Sequence, residues 1–432
     1  MLLFFFTGGY FTYILKGVQF RYLGYALGQV IAPRRKKAKG DISHFQSLMT
    51  TLAGAIGTGS IVGVATGIAI GGIGSLFWMW IAAFFGMATK YAESLLAVKY
   101  RSVDKRGEML GGPMAYMEKG LGKKWMSIWF CLFAVIAAIS TGNLVQANAI
   151  ADAVREVWKI DPLITGPVLA LVSGFVIVGG VKSIGKVAGI LVPLMALFYI
   201  GGGLVVITRF YDKIPEAFFA IFYSAFTGKA VLGGAAGGGI VLTLSIGVAR
   251  SVFSNEAGLG ITSIAAAAAK TDSPGRQAMI TMTGALLSTL IICTITGLVL
   301  ATSGACQIKG VAGSCMAITA FRTIGSLGEY VVAIGLILFA FSTIIAWGYY
   351  GEKCAEYLFG EKSVFWYRLL FTFCLIPGAV LNVGMVWHFA DICNGLMAIP
   401  NLLALLALSK LVAEETRIFL IKVKEESSGT TL

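Results

Sequence analysis

The sequence predicts an all-α polytopic membrane protein of about 11 transmembrane helices, organised as two five-helix sets inserted with opposite orientation. Three observations predict it. Hydrophobic residues make up 57% of the 432-residue chain and charged residues 13%, with mean hydropathy +0.83, outside the range of soluble domains. The length accommodates roughly ten to twelve spans of about 20 residues. Finally, two glycine-rich apolar stretches are interrupted by polar residues, one around Gly57 and one around Ser254. Paired interruptions in corresponding halves are the sequence signature of a transporter's binding site.

The elements follow in order. Residues 1–15 form a short apolar run, the latter part of a first span, with its outer end facing outside. Residues 16–44 carry Lys16, Arg21 and Arg34-Arg35-Lys36-Lys37 and read as a cytoplasmic loop. Residues 45–208 hold the first set: helix 2 at about 46–70, helix 3 at 75–99, helix 4 at 126–153, helix 5 at 162–181 and helix 6 at 187–208. Residues 209–230 are expected to lie along the outer surface, in part as a helix. Residues 231–409 hold the second set, with helix 7 beginning near Val231 and interrupted over Arg250–Gly260. Helices 8 to 11 follow at about 277–302, 328–350, 364–381 and 385–409. The polar tail, 410–432, is expected to be cytoplasmic and partly disordered. Five crossings per set is an odd number, so the second set must run opposite to the first.

Charge sets the orientation. Of 34 Lys and Arg residues, 27 fall in stretches 16–39, 90–124, 182–186, 250–276, 353–368 and 410–424, and 7 in 155–159, 209–229 and 309–322. This is the asymmetry of a cytoplasmic side. It accounts for the net charge of +13 without a nucleic-acid partner, and places the C-terminus in the cytoplasm of a plasma-membrane protein.

Some chemistry is excluded. Two histidines, His44 and His388, stand far apart in sequence, the seven cysteines form no CxxC pair, and neither HExxH nor GxSxG occurs. An intramembrane enzyme would need such a set, so the chain is not read as an enzyme and no organic cofactor is expected. Cys306 and Cys315 share an external loop and are candidates for a disulfide. A channel lacks support from any filter motif.

Three constellations carry the remaining chemistry. Gly57-Thr58-Gly59-Ser60 sits in an uncharged span crowded by Gly54, Gly57, Gly59 and Gly63. Each glycine costs about 1 kcal/mol of helix propensity relative to alanine, so the helix is expected to break at membrane depth. Lipid tolerates open backbone only where it lines a protein cavity. Free amides at the start of the second half-helix would suit a carboxylate, and free carbonyls at the end of the first a sodium ion or an ammonium group. Close packing through small residues is the other reading. Ser254-Asn255-Glu256 places a carboxylate at membrane depth, either as a functional group or as an anchor for unwound backbone or a partner for Arg250. On helix 9, Ser342 and Thr343 offer hard hydroxyl oxygens with Trp347 one turn from Thr343; the hydroxyls could instead bond their own i−4 carbonyls. Gln146, in helix 4, either receives an amine or bonds a neighbouring helix.

Beyond these readings, the chain resembles the sodium:alanine/glycine symporter family, within the group that shares the LeuT-type five-plus-five inverted repeat. The residues that carry the likeness are GTGSIVGVATGI (57–68), GSLFWMWIAAFFGMATKYAE (74–93), GGPMAY (111–116), FSNEAGLG (253–260), AAAAAKTDSPGRQA (265–278), GYYGEKC (348–354) and FADICNGLMAIPN (389–401). The resemblance implies a symporter coupling sodium entry to uptake of small neutral amino acids such as alanine and glycine, with sodium as coupling ion. It implies that the substrate carboxylate meets Thr58, Gly59 and Ser60, and the amine meets Gln146, Thr343 and carbonyls near Phe253. Phe253 and Trp347 would wall the side-chain pocket. Sodium would take carbonyls of Ala53, Ile56 and Phe339 with hydroxyls of Ser342 and Thr343. Three places depart from the family's usual pattern: Asn where Ser60 stands, Pro at Ile73, and a Gly-Ser-Ala-Pro run at 260–263. A proton-coupled or uncoupled carrier on the same fold is the alternative, with Glu256 as the titratable group near the site.

Overall fold

The computed structural model describes residues 1–31, 39–227, 239–308, 310–381 and 383–427. The start of helix 7 expected near Val231 lies outside the described residues, as does the basic run at 34–37. The described chain is almost entirely helical. Helix α1 (Leu2–Ile14) and α2 (Leu23–Ile31) precede a bend into α3 (His44–Ala55), α4 (Val62–Gly71), α5 (Ser75–Lys99), α6 (Lys124–Trp158), α7 (Pro162–Val178) and α8 (Gly180–Arg209). A peripheral helix, α9 (Ile214–Thr227), leads to α10 (Gly239–Asn255), α11 (Ser263–Ala267), α12 (Pro274–Thr302), α13 (Gly313–Arg322), α14 (Ser326–Phe359), α15 (Ser363–Val380), α16 (Val383–Ala407) and α17 (Ser409–Ser427). Among the described residues, seven helices are individually long and apolar enough to cross a membrane. Two further crossings are divided into the half-helices α3–α4 and α10–α11.

Lipid explains this economy. With no water to satisfy backbone amides, an apolar chain must bond them within each helix. The helices that correspond in the two sets pack on one another: α5 on α12, α6 on α14, and α7 on α15. The half-helices α3 and α4 lie between them, α3 against α8 and α14, and α4 against α10. Start signals are local. Ser43 caps α3 with a reciprocal pair in which its side chain accepts from Gln46 N and Gln46 Oε1 accepts from Ser43 N.

The loop after α5 departs from the all-helical expectation. It forms a two-stranded antiparallel ribbon, β1 (Ser102–Val103) and β2 (Met109–Leu110). The ribbon carries Asp104, Arg106 and Glu108 onto the end of α14. There Lys353 bonds Glu108 at 2.8 Å and Asp104 at 3.3 Å, and Arg106 bonds Glu356 at 2.7 Å. Burial alone would raise the Asp104 carboxyl, but the Glu108 amide and Lys353 outweigh it and hold the group below its ordinary value.

Three expectations are corrected here. The tail is helical over 409–427, because Val412, Thr416, Phe419 and Val423 bury one stripe while Glu415 and Glu426 pair with Lys99 and Arg276. Cys306 and Cys315 are both free thiols: Cys306 is buried in a turn and Cys315 is exposed on α13. The second interruption is shorter than predicted, because α10 continues through Arg250 to Asn255 before the chain turns at Glu256.

Candidate functional site

The site begins where α3 stops. Ile56 leaves helical geometry (φ −86°, ψ 71°), Gly57 is extended, and Thr58–Ser60 make a single 3₁₀ turn before α4 resumes at Val62. Sterics decide why glycine stands here. A methyl group on Gly57 would collide with the Thr343 hydroxyl, and one on Gly59 would lie 2.6 Å from the Phe253 ring. The break therefore brings main chain into direct contact with α6, α10 and α14, all buried from solvent.

On the far side of the break, the Thr58 amide donates to Gln146 Oε1 at 3.2 Å, while Gln146 Nε2 donates to the Thr141 carbonyl at 2.9 Å. Gln146 is presented by a π-helical turn, Ser140–Leu144, that re-aims the rest of α6. A side-chain carbonyl at a half-helix amide marks the place where an acceptor is favoured.

On the near side, the Thr343 hydroxyl donates to Ala53 O at 2.8 Å and reaches Phe339 O at 3.1 Å. The Ser342 hydroxyl reaches Phe339 O at 2.8 Å and Ala53 O at 3.3 Å. Four of the five oxygens named for sodium are thus brought together, from α3 and α14. These hard neutral oxygens fit an alkali cation, whose charge would displace the hydroxyl protons toward other acceptors. Ile56 stands one turn on; its amide bonds Leu52 O at 2.6 Å and its ψ turns its own carbonyl out of the ladder.

The second interruption faces the first. Ser254 at the end of α10 lies 3.3 Å from Ser60 Oγ, 3.2 Å from Thr289 Oγ1 and 3.0 Å from Cys293 Sγ, and the Thr296 hydroxyl donates to Ser60 O at 2.8 Å. Phe253 stacks on Trp387 with ring centroids 4.6 Å apart. Arg250 lies over the same indole at 4.9 Å and pairs with Asp391 at 3.1 Å. Arg250 is therefore partnered from α16, and the expected alternative of a pair with Glu256 is corrected: Arg250 reaches Asp391, while Glu256 follows the end of α10 about 1.7 turns on. A cleft of about 560 Å³ opens beside Phe253 between α1, α10 and α16, with Asp391 and Asn394 in its wall. The residues of the Thr58 turn do not line it.

Trp347 is buried, 1% exposed, and its ring meets Tyr350 edge-on at 6.1 Å. A methyl group on Gly142 would strike it, so the indole lies against the same π-turn that presents Gln146. Thr58, Gly59, Ser60, Gln146, Phe253 and Thr343 accordingly meet at one break, and Trp347 packs on the π-turn that presents Gln146. Sequence reasoning missed Arg250, Trp387 and Asp391 as a unit, and it missed Lys90. That lysine is fully buried in α5 and donates to the Asn255 carbonyl at 2.6 Å, closing the end of α10. A charge inside an apolar helix was the available signal.

Comparison with known proteins agrees with this architecture. Residues 1–431 match the family described as the sodium:alanine symporter family. The chain is 50% identical over 421 residues to the sodium/alanine symporter AgcS of Methanococcus maripaludis, covering 96% of this chain and 92% of that protein. It is 38% identical over 410 residues to a probable sodium/glutamine symporter, GlnT, of Bacillus subtilis, covering 94% and 84%. Among solved structures, that of MhsT in complex with L-phenylalanine superposes with a TM-score of 0.64 at 13% identity, over 88% of this chain and 93% of that one. The last likeness shows the LeuT-type fold.

Proposed function

The chain belongs to the sodium:alanine symporter family, a multi-pass membrane transporter rather than an enzyme, and from that premise we propose that it carries alanine and glycine into the cell with sodium by alternating access. Sodium-coupled amino-acid symport follows from the family; the substrate, direction and working residues are our reading. The carboxylate would replace Gln146 at the Thr58 turn, with Gly59 and Ser60 beside it. The amine would take Gln146 Oε1, the Thr343 hydroxyl and a carbonyl near Phe253. Phe253 and Trp347 would limit the side chain to a hydrogen or methyl. Sodium would sit among Ala53, Ile56, Phe339, Ser342 and Thr343. The plasma membrane, with the C-terminus on the cytoplasmic side, suits the basic loops.

One observation carries the reading: a single break in α3–α4 offers an amide to Gln146 on one side and a carbonyl to Thr343 on the other. Such a junction can sense an amino acid and an ion together. An ion that binds only when α3 and α14 are close stabilises only that conformer, which is the thermodynamic content of coupling. The test is uptake into proteoliposomes, with a competition series of amino acids, under a sodium gradient and without one. Sodium-dependent uptake competed by alanine and glycine is expected. Uptake driven by a proton gradient in the absence of sodium would favour the proton-coupled alternative, and uptake indifferent to both gradients an uncoupled carrier.

A further inference from the structure

The candidate cation site contains only neutral oxygens, yet a buried carboxyl group stands beside it. Glu256 is 1% exposed, and its Oε2 has no hydrogen-bond partner among the described residues. That oxygen lies 3.1 Å from the point a methyl group on Gly54 would occupy. Gly54 follows Ala53, and its own carbonyl is 3.5 Å from the Thr343 hydroxyl. Trp347 Nε1, one turn on along α14, is buried, makes no close hydrogen bond among the described residues and acts on the carboxylate as a donor. We propose that Glu256 is the counter-charge of this cation site, neutralising bound sodium from across Gly54 without being one of its direct oxygens. The inference rests on sodium symport as the function.

Charge balance supports it. The groups that act electrostatically on Glu256 are Lys90 and Glu93, both fully buried. One ammonium thus faces two carboxylates. Glu93 is served by protein donors, with Gly260 N at 3.0 Å and Asn401 Nδ2 at 2.8 Å on its Oε1. Lys90 spends its short bond on the Asn255 carbonyl. Each glutamate keeps its Oε2 without a hydrogen bond among the described residues; of the two, the one that faces Gly54 is that of Glu256, and a buried carboxylate is favoured when a cation joins it. Backbone geometry points the same way. Glu256 occupies the left-handed position just past α10 (φ +58°), where glycine is the default. A residue held in such a conformation at the cost of strain, with its side chain aimed at a break, is a functional candidate. Because Glu256 directly follows α10 while the hydroxyls belong to α14 and the carbonyl to α3, one ion would register all three elements.

The experiment uses the full-length protein in lipid nanodiscs. Sodium-dependent thermal stabilisation is titrated at constant ionic strength with choline, and alanine binding is then measured at saturating sodium. Glu256→Gln keeps the shape and removes the charge; it should raise the half-saturating sodium concentration about tenfold or more. Alanine affinity at saturating sodium should stay within about twofold, and Glu256→Asp should recover part of the sodium response. A merely structural glutamate would give neither the split nor the rescue. If Glu256→Gln does not fold, Glu256→Asp and Gly54→Ala decide, since the added methyl presses on the carboxylate as well as on the Tyr350 ring and should shift the sodium midpoint in the same direction. A wild-type sodium midpoint in Glu256→Gln, or in both of the other variants, overturns the proposal while leaving sodium symport intact. Absence of any sodium response in the unmodified protein overturns both.

Discussion

Gln146 and Thr58 are joined by a hydrogen bond of 3.2 Å between a side-chain carbonyl and a backbone amide 88 residues away. The bond has two consequences for substrate. On the proposed reading it occupies the amide that the carboxylate would take, and it holds beside that amide an acceptor that the amine would use. Charge-assisted hydrogen bonds contribute about 1.5–3 kcal/mol, against about 1 for neutral ones. Loss of the amine's acceptor therefore outweighs relief of the competition. Gln146→Ala should raise the alanine concentration for half-maximal uptake about tenfold and leave the sodium midpoint in place. Tighter alanine binding in the variant would show that Gln146 acts only as a competitor.

Thr343→Ala removes one hard oxygen while Ser342, bonded to the same two carbonyls, remains. The sodium requirement should rise several-fold, and alanine affinity should recover when sodium is raised. Sodium flux and alanine uptake measured side by side check this. A loss of affinity that sodium cannot restore would place Thr343 on the amine.

Trp347→Ala empties a large volume beside Gly142 and Tyr350. Such a truncation in a packed core costs about 3–5 kcal/mol, so a lowered melting temperature is expected together with competition by larger apolar amino acids such as leucine. Continued exclusion of leucine at unchanged alanine affinity would remove Trp347 from the pocket wall.

Ser60→Asn inserts a longer polar side chain into the cluster of Ser254, Thr289 and Cys293, where Ser60 is fully buried. Added volume in a filled site costs about 1–3 kcal/mol unless neighbours shift, and the shift would fall on α10 beside Phe253. The rank order of competing small amino acids should therefore change. An unaltered profile at normal expression would show that Ser60 does not set substrate choice.

The breaks were legible in the sequence because their cause is local. Glycine weakens a helix wherever it stands, and Gly57 and Gly59 sit in a span with no charge to explain them otherwise. Ser342 and Thr343 were legible as hard oxygens, although only the fold brings Ala53 and Phe339 to them. The Arg250–Asp391 pair was not, since 141 residues separate its members and hydropathy carries no distance information. Lys90 was visible as a charge inside an apolar helix, but its partner was not: it is a carbonyl, and any residue supplies one. The helical tail was missed although its spacing was present, with Val412, Thr416, Phe419 and Val423 on one face. Its polar average masked a stripe that finds its partners only after α5 and α12 are in place.

The mutual packing of α5 on α12, α6 on α14 and α7 on α15 bears on the energy of the transport cycle. Each interface joins an element to its own inverted counterpart, so exchanging the postures of the two halves recreates the same kinds of contact on the opposite face. On the proposed alternating-access cycle, outward-open and inward-open forms would then differ little in internal packing. Their balance is left to the parts without a counterpart, among them the ribbon at 102–110 and its anchorage on Lys353 and Glu356. A change of one or two kcal/mol there shifts the resting population by roughly five- to thirtyfold. Ion and amino acid thus need only modest differential affinity to drive the machine, and variants in that loop should alter turnover more than recognition.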